Sequence, residues 1–75
     1  MMQIGDLAGL TGVNIETIRY YERIGVLPLP ERHSNGRRSY GETDRRRVSF
    51  IRHARELGFD LASVRTLLAL QEQPE

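Results

Sequence analysis

"TGVNIETIRYYERIG", residues 11–25, holds two adjacent tyrosines with an arginine on either side. Neighbouring residues on a helix point about 100° apart, so Tyr20 and Tyr21 cannot both pack inward. Asn14 is a good N-cap, and Gly25 suits the left-handed position that follows a helix, which predicts a helix over 14–25. On it Ile15, Ile18 and Glu22 form one stripe with Tyr21 at its edge, while Glu16, Thr17 and Tyr20 fall opposite. Tyr21 is therefore expected to cover the core. Tyr20 is expected to face outward beside Thr17, Arg19 and Arg23, as an idle aromatic or as a contact residue.

On the N-terminal side, "QIGDLAGL" over 3–10 places Ile4, Leu7 and Ala8 on one side of a preceding helix, which Gly12 ends. Two short helices joined by a tight glycine turn make the helix-turn-helix pattern. On the other side, Pro28 and Pro30 rule out a continuing helix and favour an extended path. "SNG" at 34–36 is a turn signal whose flanks can pair as a hairpin over 32–40. Its returning strand, "RRSY", puts Arg37 and Arg38 directly after the turn. An isolated hairpin is marginal in water, so this one must lean on the helices or on a partner.

Thr43 is the expected N-cap of a third helix that reaches Leu57, with Gly58 as its terminator. Phe50, Ile51, Ala54 and Leu57 make its stripe, and Val48 adds a second contact. Arg45, Arg46 and Arg47 oppose the helix dipole in its first turn. Solvation would make that placement tolerable, and so would a nearby phosphate. Asp60 can cap a fourth helix through Gln71, with Leu61, Val64, Leu67 and Leu68 at helical spacing. The fold expected is mainly α: a winged helix-turn-helix of four helices with a small β-hairpin wing, in one domain over residues 1–75.

Composition narrows the function. Seventy-five residues suffice for one modest core. The chain has no cysteine, hence no disulfide framework and no thiolate metal site within it. No apolar run approaches the roughly 20 residues of a membrane span, which points to a cytosolic location with no membrane partner. The net charge is only +1, yet residues 32–55 hold eight arginines against Glu42 and Asp44, a local net of +6. A basic segment on an otherwise balanced domain suits a polyanion, although a solvated charged surface would look the same. His33 and His53 lack the companions of a tetrahedral metal set. No Ser-His-Asp arrangement, phosphate-cradling glycine loop or paired buried carboxylates can be picked out. No enzymatic activity and no cofactor are expected.

Taken together, these residues resemble the DNA-binding domain of the MerR family of bacterial transcription regulators. "IGDLAGLTGVNIETIRYYERIGVL" looks like that family's opening helix-turn-helix and "NGRRSY" like its first wing. "FIRHARELGFDLASVRTLL" is similar to its third helix, second wing and fourth helix. The likeness covers roughly residues 3–70 and rests on several motifs in the right order and spacing. One departure is Gly36-Arg37-Arg38, where members commonly carry Gly-Tyr-Arg, so the resemblance implies a guanidinium in place of the tyrosine's phosphate contact. Another is Arg45, at a position often apolar in the family.

The resemblance implies double-stranded DNA at a promoter operator as the partner, with helix 14–25 in the major groove and the wing on phosphates. The expected contact residues are Asn14, Glu16, Thr17, Arg19, Tyr20, Arg23, Arg37, Arg38 and Tyr40, with Arg19 and Tyr20 foremost on the helix. Arginine can grip guanine or clamp a phosphate, and threonine can touch a thymine methyl or a phosphate. RNA polymerase holoenzyme is a further implied partner, in the nucleoid, because the family distorts promoter DNA to realign elements set too far apart. Members do this as homodimers through a long coiled-coil helix followed by an effector-binding segment. This chain stops where that helix would begin, so alone it is expected to hold one half-site weakly.

Two rivals remain at this stage. One is an excisionase-like architectural protein that bends DNA without an effector domain. The other is a protein-interaction module whose basic face docks an acidic partner.

Overall fold

Four helices follow one another: α1 (Ile4–Thr11), α2 (Ile15–Arg23), α3 (Glu42–Glu56) and α4 (Leu61–Gln71). The structure is a computed structural model that describes residues 2–28 and 39–72. α1 packs against α2 and α3, and α3 packs in turn against α4.

Local chemistry sets the helix ends. The Asn14 side chain accepts the Thr17 amide at 2.8 Å, and Asp60 accepts that of Ser63 at the same distance, as N-caps do. Asp6 reaches back to the Gln3 amide at 3.2 Å to close the start of α1. α3 begins two residues earlier than its sequence indicates. Gly41, not Thr43, is its N-cap, because Asp44 sits at the third helical position and accepts the Gly41 amide at 2.9 Å. α1 ends at Gly12, where φ is +73°, and the chain leaves α2 through Gly25 at φ +81°. Both are left-handed conformations that glycine adopts without strain.

The core forms where one face of each helix meets the others. Leu7 of α1, Ile18 of α2, Val48 and Ile51 of α3 and Val64 of α4 are its fully buried side chains. α2 divides as its stripe foretold: Tyr21 is 9% exposed, whereas Tyr20 is 43% exposed and leans on it with ring centroids 6.1 Å apart. Ile15 is a correction, lying at the exposed margin of the stripe. α3 differs too. Its inward line is Val48, Ile51 and Ala54, with Phe50 half-buried. Leu57, at the C-cap beyond the last helical turn, is 79% exposed. It borders an open apolar trough together with Phe50, Phe59, Leu67 and Leu70.

Ser39 and Tyr40 are the described part of the expected hairpin; its other residues, Arg37 and Arg38 among them, lie outside the described region. Tyr40 forms an isolated antiparallel bridge with Met2, each amide donating to the other's carbonyl at 2.9 Å. Among the described residues no strand occurs, so the four helices are established and the wing is not.

Tyr40 is a core residue. Its ring is 2% exposed, and its hydroxyl donates to Glu22 Oε2 at 2.9 Å. Glu22 is only 7% exposed although it carries a carboxyl group, which makes a hydrogen-bond donor there a necessity.

Two stability outcomes follow from these contacts. Tyr40→Phe keeps the ring and removes one donor from a buried carboxyl, so it should destabilise the chain by about 1–3 kcal/mol. Denaturant titration should show that loss as a lower midpoint at unchanged slope. The Ser63 amide bond, with the Ser63 hydroxyl second, lowers the Asp60 pKa below its ordinary 3.8. A lowered folded-state value means that the cap stabilises above pH 3.8 and loses its effect as pH falls through the lowered value. Asp60→Asn retains a capping oxygen but cannot titrate, so thermal melts of this variant should show a shallower acid limb than those of the unaltered chain.

Candidate nucleic-acid interface

Because one face of α2 is committed to the core, the residues of the other can be placed one by one. Glu16, Arg19, Tyr20 and Arg23 stand at i, i+3, i+4 and i+7 and are all exposed. This spacing gathers them on one side of the helix. Thr17 is half-buried beside them, and its amide is held by the Asn14 cap. Asn14 is exposed, with its side-chain oxygen engaged by the Thr17 amide. Among the described residues, neither Arg19 nor Arg23 has a hydrogen-bond or ion-pair partner. Two unneutralised guanidinium groups thus flank an exposed tyrosine ring on a helix that cannot rotate without exposing Ile18 and Tyr21.

The arginines at the start of α3 present a different picture. Arg45 holds Glu42 with its Nε and Nη2, the closer contact being 2.8 Å. Arg46 lies 3.8 Å from the same carboxylate. Arg47 grips Glu72, just past the end of α4, in a two-pronged pair at 2.7 and 2.8 Å, with Asp44 at 3.8 Å. The Arg45 guanidinium holds the Glu42 carboxyl below its usual range, and Glu72 in turn raises Arg47 above its own. Carboxylates of the chain itself therefore offset the unfavourable dipole placement. No external phosphate is needed to explain these three residues, and their pairs are mostly exposed and individually weak.

Of the expected contact residues, α2 brings together Asn14, Glu16, Thr17, Arg19, Tyr20 and Arg23. Tyr40 is not among them: it is buried and turned toward Glu22, and its contribution is to hold α2 from beneath. The reason is packing, since a ring next to the Met2 bridge has the core, not solvent, on its inner side. Arg37 and Arg38 lie outside the described residues.

Sequence reading missed three supporting contacts. Glu22 gave a usable signal, because a carboxyl on an apolar stripe requires a partner. Arg52 and Arg65 gave none, yet Arg52 Nη1 donates to the Thr11 carbonyl at 2.8 Å and Arg65 Nη2 donates to that of Ile24. Each pair is 41 residues apart in the chain.

Comparison with known proteins gives the family. The family model described as MerR HTH family regulatory protein matches residues 2–71. The HTH-type transcriptional regulator ZntR of Escherichia coli K12 is 47% identical over 75 residues, which is 100% of this chain and 53% of that protein. The mercuric resistance operon regulatory protein of Bacillus cereus is 47% identical over 73 residues, covering 97% of this chain and 55% of that one. The crystal structure of the transcription regulator PbrR691 from Ralstonia metallidurans CH34, in complex with lead(II), superposes with a TM-score of 0.91 at 39% identity, over 100% of this chain and 59% of its own. The chain thus spans about half the length of the relatives it matches. These relatives are transcription regulators and not enzymes, and they favour neither the excisionase-like reading nor the protein-docking one. The alignment of α1 and α2 as a helix-turn-helix, and the match over nearly the whole length, place this chain in the MerR HTH family of regulatory proteins.

Proposed function

We propose that the chain is the DNA-binding part of a MerR-type transcription regulator, and that α2 enters the major groove of an operator with Arg19, Tyr20 and Arg23 leading. The observation that carries this reading is the outer face of α2: two guanidinium groups unpaired among the described residues and an exposed aromatic on a helix locked by its opposite face. Arginine offers a planar fork that fits guanine edges and phosphates alike, and an aromatic ring beside it can pack on sugar or base. Asn14, Glu16 and Thr17 line the approach. Arg37 and Arg38, after the sequence turn at 34–36, are assigned to phosphates as a wing. Phosphate contacts set affinity and register, and base contacts set sequence choice.

In a longer protein carrying this domain, we assign dimerisation and effector binding to further segments, and distortion of promoter DNA for RNA polymerase to the dimer. The relatives favour a heavy-metal ion as its signal, since one is named for mercuric resistance and the solved neighbour holds lead(II). No helix of the described residues is long and apolar enough to cross a membrane. A regulator of this kind works at the nucleoid, in the cytoplasm.

Binding to duplex DNA tests the reading. Four to six phosphate contacts per domain would give log K against log salt a slope of roughly −4 to −5, and a flat plot would return the case to an acidic protein partner. Arg19→Ala should weaken binding to a selected duplex by about 1–3 kcal/mol and relax base preference at one position, as read by competition with singly mutated duplexes. Undiminished discrimination would refute base reading by Arg19. Arg37→Ala should weaken all duplexes alike and reduce the salt slope by about 1. A loss limited to one sequence would contradict its phosphate role.

A further inference from the structure

A helix leaves its last carbonyls without intrahelical partners, and how they are satisfied decides how firmly that end is held. In α2 the carbonyl of Tyr20 takes the Ile24 amide, that of Tyr21 takes the amides of Val26 and Leu27, and that of Glu22 takes the Gly25 amide. The carbonyl of the C-cap residue, Ile24, is held from outside the helix. Arg65, on the exposed side of α4, donates its Nη2 to it. A guanidinium suits this place because it brings both a donor and a positive charge to the negative end of the helix dipole.

The end of α1 is treated alike. Arg52 of α3 donates to the Thr11 carbonyl at 2.8 Å, and a Cβ added at Gly12 would fall on its guanidinium. Gly12 therefore serves twice, by adopting positive φ and by leaving room for Arg52. Both helices of the helix-turn-helix end on a carbonyl held by an arginine from the second half of the chain.

We propose that Arg65 is a positioning residue for DNA reading: by tying the Ile24 carbonyl to α4, it sets the depth and tilt at which α2 offers Arg19, Tyr20 and Arg23. The inference rests on the DNA-binding role proposed above. Arg23 is adjacent to the held residue, and Tyr20 lies one turn away. A shift at Ile24 therefore passes directly to the residues that lead into the groove. Hydrogen bonds to base edges tolerate only a few tenths of an ångström, whereas long arginine side chains can follow a phosphate. Loss of the tie should thus reduce selectivity more than general affinity.

The test uses the 75-residue chain with a duplex enriched from a random-sequence pool, beside a scrambled duplex of the same composition. Arg65→Met keeps length and apolar stem but removes the donors, and Arg65→Lys restores a charged donor. Arg65→Met should lower affinity for the enriched duplex about three- to tenfold, the worth of one hydrogen bond, with little change on the scrambled one and an unaltered salt slope. In the unbound protein the amides of Ile24 to Leu27 should exchange faster, and Arg65→Lys should recover part of both effects. Equal loss on both duplexes with a slope reduced by about 1 would make Arg65 a phosphate contact and overturn the positioning role. Unchanged selectivity would overturn it as well. If the unaltered chain showed no salt-dependent binding to any duplex, the DNA-binding proposal itself would fail. Amide exchange at 24–27 would then judge the tie alone, faster exchange in Arg65→Met supporting it and unchanged exchange sinking it.

Discussion

The hydrogen bond from the Tyr40 hydroxyl to Glu22 is the contact on which the arrangement of this domain turns. A carboxyl group brought into the core carries a large desolvation cost, and only a well-placed donor offsets it. Supplying that donor from the segment that enters α3 joins the helix-turn-helix to the rest of the chain at one buried point. Burial of Ile18 and Tyr21 sets which face of α2 turns inward. The bond has direction, and so it adds a specific tie to the face that burial has turned inward.

That orientation explains why two adjacent tyrosines have opposite fates. Tyr21 rests on the core beside Ile18, while Tyr20 leans on Tyr21 from outside and remains accessible. The inner ring supports the outer one, which restricts Tyr20 without burying it. Among the described residues Arg19 and Arg23, which flank the ring, have no ion-pair partner, so both charges are open to a polyanion.

Seven of the described arginines fall into three groups that composition could not separate. Those that open α3 are paired with acidic residues of the chain. Arg52 and Arg65 hold backbone carbonyls at the ends of α1 and α2. Arg19 and Arg23 alone point outward from the reading helix unpaired among the described residues. A count of positive charge over residues 32–55 therefore overstates the surface offered to DNA, because several of those charges are already satisfied within the fold.

Local features were legible in the amino-acid sequence because their causes are local. Asn14 and Asp60 cap helices with their own side chains, Gly12 and Gly25 take the left-handed turns, and the period of Ile18, Tyr21 and Glu22 names the inner face of α2. The start of α3 was misplaced by two residues because Asp44 and Thr43 both offer capping chemistry, and only the backbone path chose between them. The inward turn of Tyr40, the outward position of Leu57 and the carbonyl ties of Arg52 and Arg65 could not be read in advance. Each joins or separates residues far apart in the chain, so its energy exists only once the helices have docked. Sequence thus determined which helices form and which face of α2 is free; tertiary packing decided where that face points and which charges remain available to it.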